Sequence, residues 1–269
     1  MNAARPAVAL LGAGRMGQAV LSGLLRAGWD PGSLVAVEAY EPTARSVRER
    51  LGVRVVADPA AVADSAVVVV AVKPHDVAAA LEDVSPHLAA GTAVVSLAAG
   101  VGTALLAGHV PAGTPVVRVM PNTPALVGEA MSVMSPAADC PAAAVELARQ
   151  VLDAVGRVEQ VPERAQDAVT AVSGSGPAYL FYVAEAMIEA GVQLGLPRPL
   201  AHDLTVQTMV GAATMLRDSG EHPSVLRENV TSPGGTTAAA LHVLDEAAVR
   251  AAFANAMHAC AQRSADLSK

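Results

Sequence analysis

The sequence predicts an α/β chain, a doubly wound sheet in the first half followed by an all-helical second half. Three observations carry this. Short Val-rich runs alternate with helical stretches up to about residue 160, a purely apolar β-branched run occupies 67–72, and the strand signal stops after Pro162. An apolar run without polar alternation is what a strand buried on both faces of a parallel sheet requires. Strand–helix alternation is the pattern of a doubly wound domain.

The elements follow in order. Residues 8–11 predict a strand, 14–27 a helix, 35–38 a strand, 43–51 a helix and 53–56 a third strand. After the run at 67–72 come a helix over 77–81 and strands over 93–97 and 115–120. Segments 131–134 and 157–161 close the sheet, with a helix over about 142–155 between them. Beyond the boundary, Leu180, Val183, Ala184, Met187, Ile188, Gly191 and Val192 recur at helical spacing, and Gly195 and Pro197 end that helix. A second long helix spans about 199–218, and short ones follow, with Asp245 and Glu246 near the start of the last. The expected domains are 1–162, binding a dinucleotide, and 163–269, helical.

With 52% hydrophobic but only 2% aromatic residues, the core must be built from Ala, Val and Leu. A net charge of −7 and the lack of a Lys/Arg block argue against nucleic acid or an anionic membrane surface as partner. The longest purely apolar run, 66–72, is too short to cross a bilayer. Residues 1–6 lack a basic start leading into an apolar stretch, so a cytoplasmic location is expected. Cys140 and Cys260 form no CxxC, so neither a disulfide nor a metal site is expected.

Gly12-Ala13-Gly14-Arg15-Met16-Gly17 is a G-x-G-x-x-G placed directly after a strand and opening a helix. The first glycine allows the tight turn, the second lets the backbone approach a pyrophosphate at the helix N-terminus, and the third lets helix and strand pack closely. This context makes the first domain Rossmann-like and the expected cofactor NADPH or NADH. Glu38 ends the second strand, where an acid meets an adenosine ribose 2′-hydroxyl and repels a 2′-phosphate, which leans toward NADH. Arg45 and Arg48 lie just beyond and offer a competing seat for that phosphate, so the choice stays open. Ala71, Val72, Lys73 and Pro74 follow the central strand and should face the cofactor crevice, which in open sheets lies beyond the carboxyl ends of the strands. Ala98, Ala99 and Gly100 offer a small-residue surface after the next strand, and two prolines stiffen the loop around Asn122.

Two further segments are rich in glycine. In Ser173-Gly174-Ser175-Gly176-Pro177, Pro177 suits a first helical turn and Ser175 its N-cap. In Ser232-Pro233-Gly234-Gly235-Thr236-Thr237, glycines precede a helix whose free N–H groups suit an anion such as a small carboxylate. One of the two threonines caps the helix on this reading, leaving the other for substrate. The seven histidines are scattered without a triad or a metal-ligand spacing. A ketone substrate needs a proton donor for its alkoxide, whereas a protonated imine is already electrophilic, so an imine is favoured.

These blocks stand in the order seen in the pyrroline-5-carboxylate reductase family: 12–17, 71–74, 118–127, 171–179 and 229–237. The chain resembles that family over nearly its whole length, and the last block is the most specific. The resemblance implies reduction of 1-pyrroline-5-carboxylate to L-proline by NAD(P)H, the last step of proline synthesis. It implies that the helical domain dimerises with a second subunit, with dimers assembling further into decamers. It also implies that Asn229, Gly234, Gly235, Thr236 and Thr237 meet the substrate, Thr237 being the hydroxyl nearest the ring nitrogen and the catalytic candidate. Glu38 departs from the small polar or basic residue of many members, and Ala130 stands where the motif often has Gly. A 3-hydroxyacid reductase of this architecture would present a catalytic Lys in the helical half. The chain's lysines are Lys73 and Lys269, neither of which lies among those helices.

Overall fold

A computed structural model describes residues 5–268. Residues 1–4, on which the reading of the N-terminus partly rests, and Lys269 lie outside the described residues. The first half builds β1 (Val8–Leu11), α1 (Arg15–Arg26), β2 (Leu34–Val37), α2 (Glu41–Leu51), β3 (Arg54–Val56) and β4 (Val67–Val70). It continues with α3 (Val77–Val84), β5 (Ala93–Ser96), α4 (Thr103–Gly108), β6 (Val116–Met120), β7 (Ala130–Pro136), α5 (Ala142–Asp153) and β8 (Gly156–Gln160). The eight strands lie in the order β3-β2-β1-β4-β5-β6-β7-β8. All neighbours are parallel except β6 and β7, which pair antiparallel with Val119 opposite Met134.

The order reverses between β1 and β4, so the crevice of a doubly wound sheet falls beyond Leu11 and Val70. β1 and β4 are fully buried because both faces carry packed layers. On one face Leu10, Val67 and Val69 pack with Leu21, Leu24 and Leu152, and on the other Ala9, Val68 and Val70 pack with Val77, Leu81 and Leu106. The helix α4 was missed in the sequence because its six residues are too few to display a period.

The described chain divides into two compact units. One runs through Ser175 and resumes at Cys260, and the other is Gly176–Ala259. In the first, α6 (Gln166–Val169) leads into a π-helical turn over Thr170–Gly174. The expectation that Ser175 is an N-cap is corrected here. Ser175 has helical backbone angles and its N–H reaches five residues back to the Thr170 carbonyl at 2.8 Å, so it closes the wide turn instead of standing in the extended backbone of an N-cap.

The second unit contains α7 (Gly176–Gln193), α8 (Arg198–Ser219), α9 (Pro223–Asn229) and α10 (Thr236–Glu246), and most of α11 (Val249–Leu267). Arg198 clamps Glu189 through two bonds of 2.6 and 3.2 Å, tying the start of α8 to α7. Asp245 and Glu246 end α10 instead of opening the last helix, and that last helix is long. The break falls at Ala248, whose φ of 53° interrupts the helix, a position the pattern did not mark. Only Ala201 and Thr205 are buried within 176–259, while Phe181, Tyr182, Leu194 and Val210 are exposed. No helix of the described residues is long and apolar enough to cross a membrane.

Candidate active site

The turn between β1 and α1 is shaped by contact. A Cβ on Gly17 would strike the Gly12 carbonyl oxygen, so only glycine lets the first turn of α1 lie against the loop. Gly14 is the opposite case. It is exposed, a Cβ there would enter open space, and Gly14 lines a cavity of about 490 Å³. Its residue type therefore keeps a cradle clear at a helix start that has no side-chain cap. A pyrophosphate fits such a place, because uncapped N–H groups and the helix dipole both favour an anion.

Gly12, Gly14, Glu38, Ala71, Val72 and Lys73 all line this cavity. Asp76 and Asp83 line it too, which the sequence reading missed. Asp76 lies only three residues beyond Lys73, on the same loop, and that proximity was the available signal. A second cavity of about 250 Å³ is lined by Met16, Pro74, Ala98, Ala99 and Asn122, and Ala71 and Val72 line both. Leu97, Met120, Pro121, Thr123 and Gly174 complete its wall, and of these Gly174 is a glycine whose lack of a side chain allows close approach. The rest of the predicted set lies outside both linings. Ala13 is buried with its N–H bonded to Glu38, Gly17 is buried as packing, Arg15 is exposed at the start of α1, and Gly100 faces the backbone of Leu267.

Asn122 is engaged by the protein itself. Its Nδ2 donates to the Ser173 carbonyl at 3.1 Å and its Oδ1 accepts from the Met131 N–H at 2.9 Å. It thus ties the loop after β6 to the π-helical turn and to β7, and it shapes the second cavity as a brace. A Cβ on Gly174 would collide with the end of Met120, so the turn and the β6 end are in close contact there.

Below this loop, Glu163 accepts from the Thr103 N–H at 2.7 Å, the Thr103 hydroxyl at 2.6 Å and the buried Arg118 guanidinium at 3.3 Å. Burial alone would raise its pKa, but the Thr103 bonds and the Arg118 charge together outweigh burial and hold it below its ordinary 4.5.

In the helical unit, Gly234 has a φ of +67° and a Cβ on Gly235 would meet the Ser232 hydroxyl. Gly234 disfavours a side chain through its left-handed backbone and Gly235 through contact, and together they turn the chain into α10. Gly235 is the N-cap residue and no side chain caps the helix. Neither Thr236 nor Thr237 is therefore the cap, as had been expected of one of them, because both already lie inside the first turn. Among the described residues neither threonine hydroxyl has a hydrogen-bond partner, and the start of α10 presents backbone N–H groups beside them. Asn229 is exposed at the last position of α9. No group of His, Cys, Asp or Glu able to hold a metal occurs among the described residues.

A family model described as pyrroline-5-carboxylate reductase dimerisation matches residues 163–267. Another, described as NADP oxidoreductase coenzyme F420-dependent, matches residues 7–100. A pyrroline-5-carboxylate reductase of Corynebacterium melassecola is 44% identical over 266 residues, covering 97% of this chain and 98% of the relative. One from Methanosarcina acetivorans is 40% identical, with 97% and 98% covered. The solved structure of a pyrroline-5-carboxylate reductase from Coxiella burnetii matches with a TM-score of 0.93 at 35% identity, covering 98% of this chain and 99% of that one. That of the Plasmodium falciparum pyrroline carboxylate reductase with NADP bound matches with a TM-score of 0.87 at 26% identity, covering 99% of each.

Proposed function

The chain belongs to the pyrroline-5-carboxylate reductase family, and from that premise we propose which of its residues perform the reaction. The enzyme reduces 1-pyrroline-5-carboxylate to L-proline with NAD(P)H, the last step of proline synthesis. It carries the family's dimerisation region at 163–267.

The observation that carries the residue-level reading is the uncapped start of α10, with two unpartnered threonine hydroxyls beside it. The substrate's carboxylate sits on the N–H groups of 234–237, where the positive end of the helix dipole neutralises it. Thr237 hydrogen-bonds the ring nitrogen, and Thr236 and Asn229 complete the polar surround. The nucleotide's residues are Gly12, Gly14, Arg15, Glu38, Lys73 and the small-residue wall at Ala71, Val72, Pro74, Ala98 and Ala99, with Ala13, Gly17 and Asn122 holding their shape. Bound NAD(P)H supplies a hydride from its nicotinamide C4 to the imine carbon. The protonated C=N⁺ double bond becomes a single bond as its π pair moves onto nitrogen, and the amine so formed takes its second proton from water, directly or through Thr237, which solvent reprotonates. The chain contributes orientation above all, since a protonated imine needs no strong acid.

The functional domains remain 1–162 for the nucleotide and 163–269 for substrate and dimer. The start of the matched dimerisation region at residue 163 supports that division. Assembly of dimers into decamers and a cytoplasmic location belong to the same proposal. The test is oxidation of NADH and NADPH followed by absorbance with pyrroline-5-carboxylate as substrate. Proline must form in step with the nucleotide consumed, and no oxidation with either nucleotide would overturn the assignment.

A further inference from the structure

Glu38 is held in a way that decides between the two nucleotides. We infer that this enzyme selects NADH over NADPH, because a fixed carboxylate occupies the place beside the adenosine ribose where a 2′-phosphate would have to sit. This rests on the reading of the larger cavity as the dinucleotide site.

The geometry begins with the backbone. The Glu38 N–H donates to the Val56 carbonyl at 2.9 Å, and the Gly12 N–H donates to the Val37 carbonyl at 2.9 Å, so the end of β2 is pinned on both sides. The side chain then turns back to the glycine-rich loop. Its Oε2 accepts from the Ala13 N–H at 2.9 Å and its Oε1 accepts from the Tyr40 N–H at 2.9 Å. Each carboxylate oxygen can accept two bonds, so each keeps one acceptor position for a ribose hydroxyl. A diol donates to such a carboxylate. A 2′-phosphate can only oppose it with further negative oxygens, and swinging Glu38 aside would break bonds to two loops.

The three arginines of α2 make their contacts outside the cavity. Arg48 donates to the Val55 carbonyl at 3.0 Å and to Glu41 at 2.5 Å. Arg45 lies 3.9 Å from the same Glu41, and Arg50 donates to Gln18 at 3.2 Å. None of the three lines the cavity. Its lining carries the carboxylates of Glu38, Asp76 and Asp83 against Lys73 and His75, and His75 lies 3.5 Å from Asp76. Local charge therefore opposes an extra phosphate.

Calorimetric titration of the intact enzyme with NAD⁺ and with NADP⁺ tests it without relying on turnover. NAD⁺ should bind at least about 10-fold more tightly, since like charges placed together in a complex are costly. Glu38→Ser should narrow the ratio by about 10-fold or more by improving NADP⁺ binding, and Glu38→Asp, which keeps the charge, should retain most of the preference. Equal binding, or tighter binding of NADP⁺, by the parent enzyme overturns the inference while leaving the dinucleotide site standing. Failure of both nucleotides to bind overturns the site and the inference together. Should the serine variant not fold, the parent's ratio alone decides.

Discussion

Val67–Val70 of β4 are wholly buried, whereas Phe181, Tyr182 and Leu194 of the helical unit are 68%, 74% and 86% exposed. The two regions have similar apolar residues and opposite fates for them. The sheet unit has two layers of helices to cover its strands, so every methyl of β4 finds protein around it. The helices of Gly176–Ala259 bury almost nothing within that unit, and their apolar surface requires another surface to cover it. The matched dimerisation region spans these helices. The difference teaches that the first unit is held by its own core, whereas the helical unit leaves its apolar side chains at the surface, in the region matched as dimerisation.

The sharpest way to break the comparison is to place charge on the exposed apolar face. Phe181→Asp combined with Val210→Asp should dissociate the dimer and lower activity by about 100-fold or more, because unpaired carboxylates cannot be buried cheaply. Light scattering should show monomer, and the sheet unit should still bind nucleotide. A dimeric, active double variant would mean that another surface closes the helical unit. Next in size, Gly17→Val should destabilise the sheet unit by about 1–3 kcal/mol through overpacking against the loop. Denaturant melts should report it, with weaker nucleotide binding and unchanged dimerisation.

Smaller effects sharpen the comparison at single residues. Thr237→Ala should lower kcat by about 10-fold, the worth of one ordinary hydrogen bond. Fold and oligomeric state should be unaltered, since neither threonine hydroxyl serves the chain's own structure. Unchanged steady-state kinetics would remove Thr237 from the mechanism. The least effect concerns Glu163, whose folded pKa lies below its ordinary value. Such a group stabilises the fold above the unfolded pKa, and the contribution is lost as pH falls through the folded pKa. The melting temperature of Glu163→Gln should therefore fall below the parent's at neutral pH, and the gap should close as acid takes the pH below the ordinary 4.5 and through the lower folded pKa. A gap that is constant with pH would mean the Thr103 and Arg118 bonds do not depend on the charge.

Much of the site was legible because it is local. A tight turn, a close helix–strand approach and a left-handed backbone each demand glycine, so 12–17 and 234–235 declared their geometry in one dimension. The β-branched run at β4 announced burial on both faces for the same reason. What failed were judgements at the joins. Ser175 reads as a cap, yet it has helical backbone angles and closes the π-helical turn ahead of α7. Thr236 and Thr237 read as one cap and one ligand, yet Gly235 takes the cap position and leaves both free. Cap chemistry is a preference of about 1 kcal/mol, which packing overrides.

The sequence by itself determined the doubly wound unit, its nucleotide turn, the glycine-opened helix at Thr236 and the long helices α7 and α8, all set by periodicity and backbone sterics within a few residues. Tertiary structure alone decided that β7 runs antiparallel beside β6 and that Asn122 braces Ser173 and Met131. It also decided that Ser264 and Asp167, far apart in sequence, bond at 2.7 Å, and that Glu38 spans Ala13 and Tyr40. These pairings join residues that no local pattern relates. They are selected only when the folded core brings buried donors and acceptors together and leaving them unpaired would cost more than any local preference.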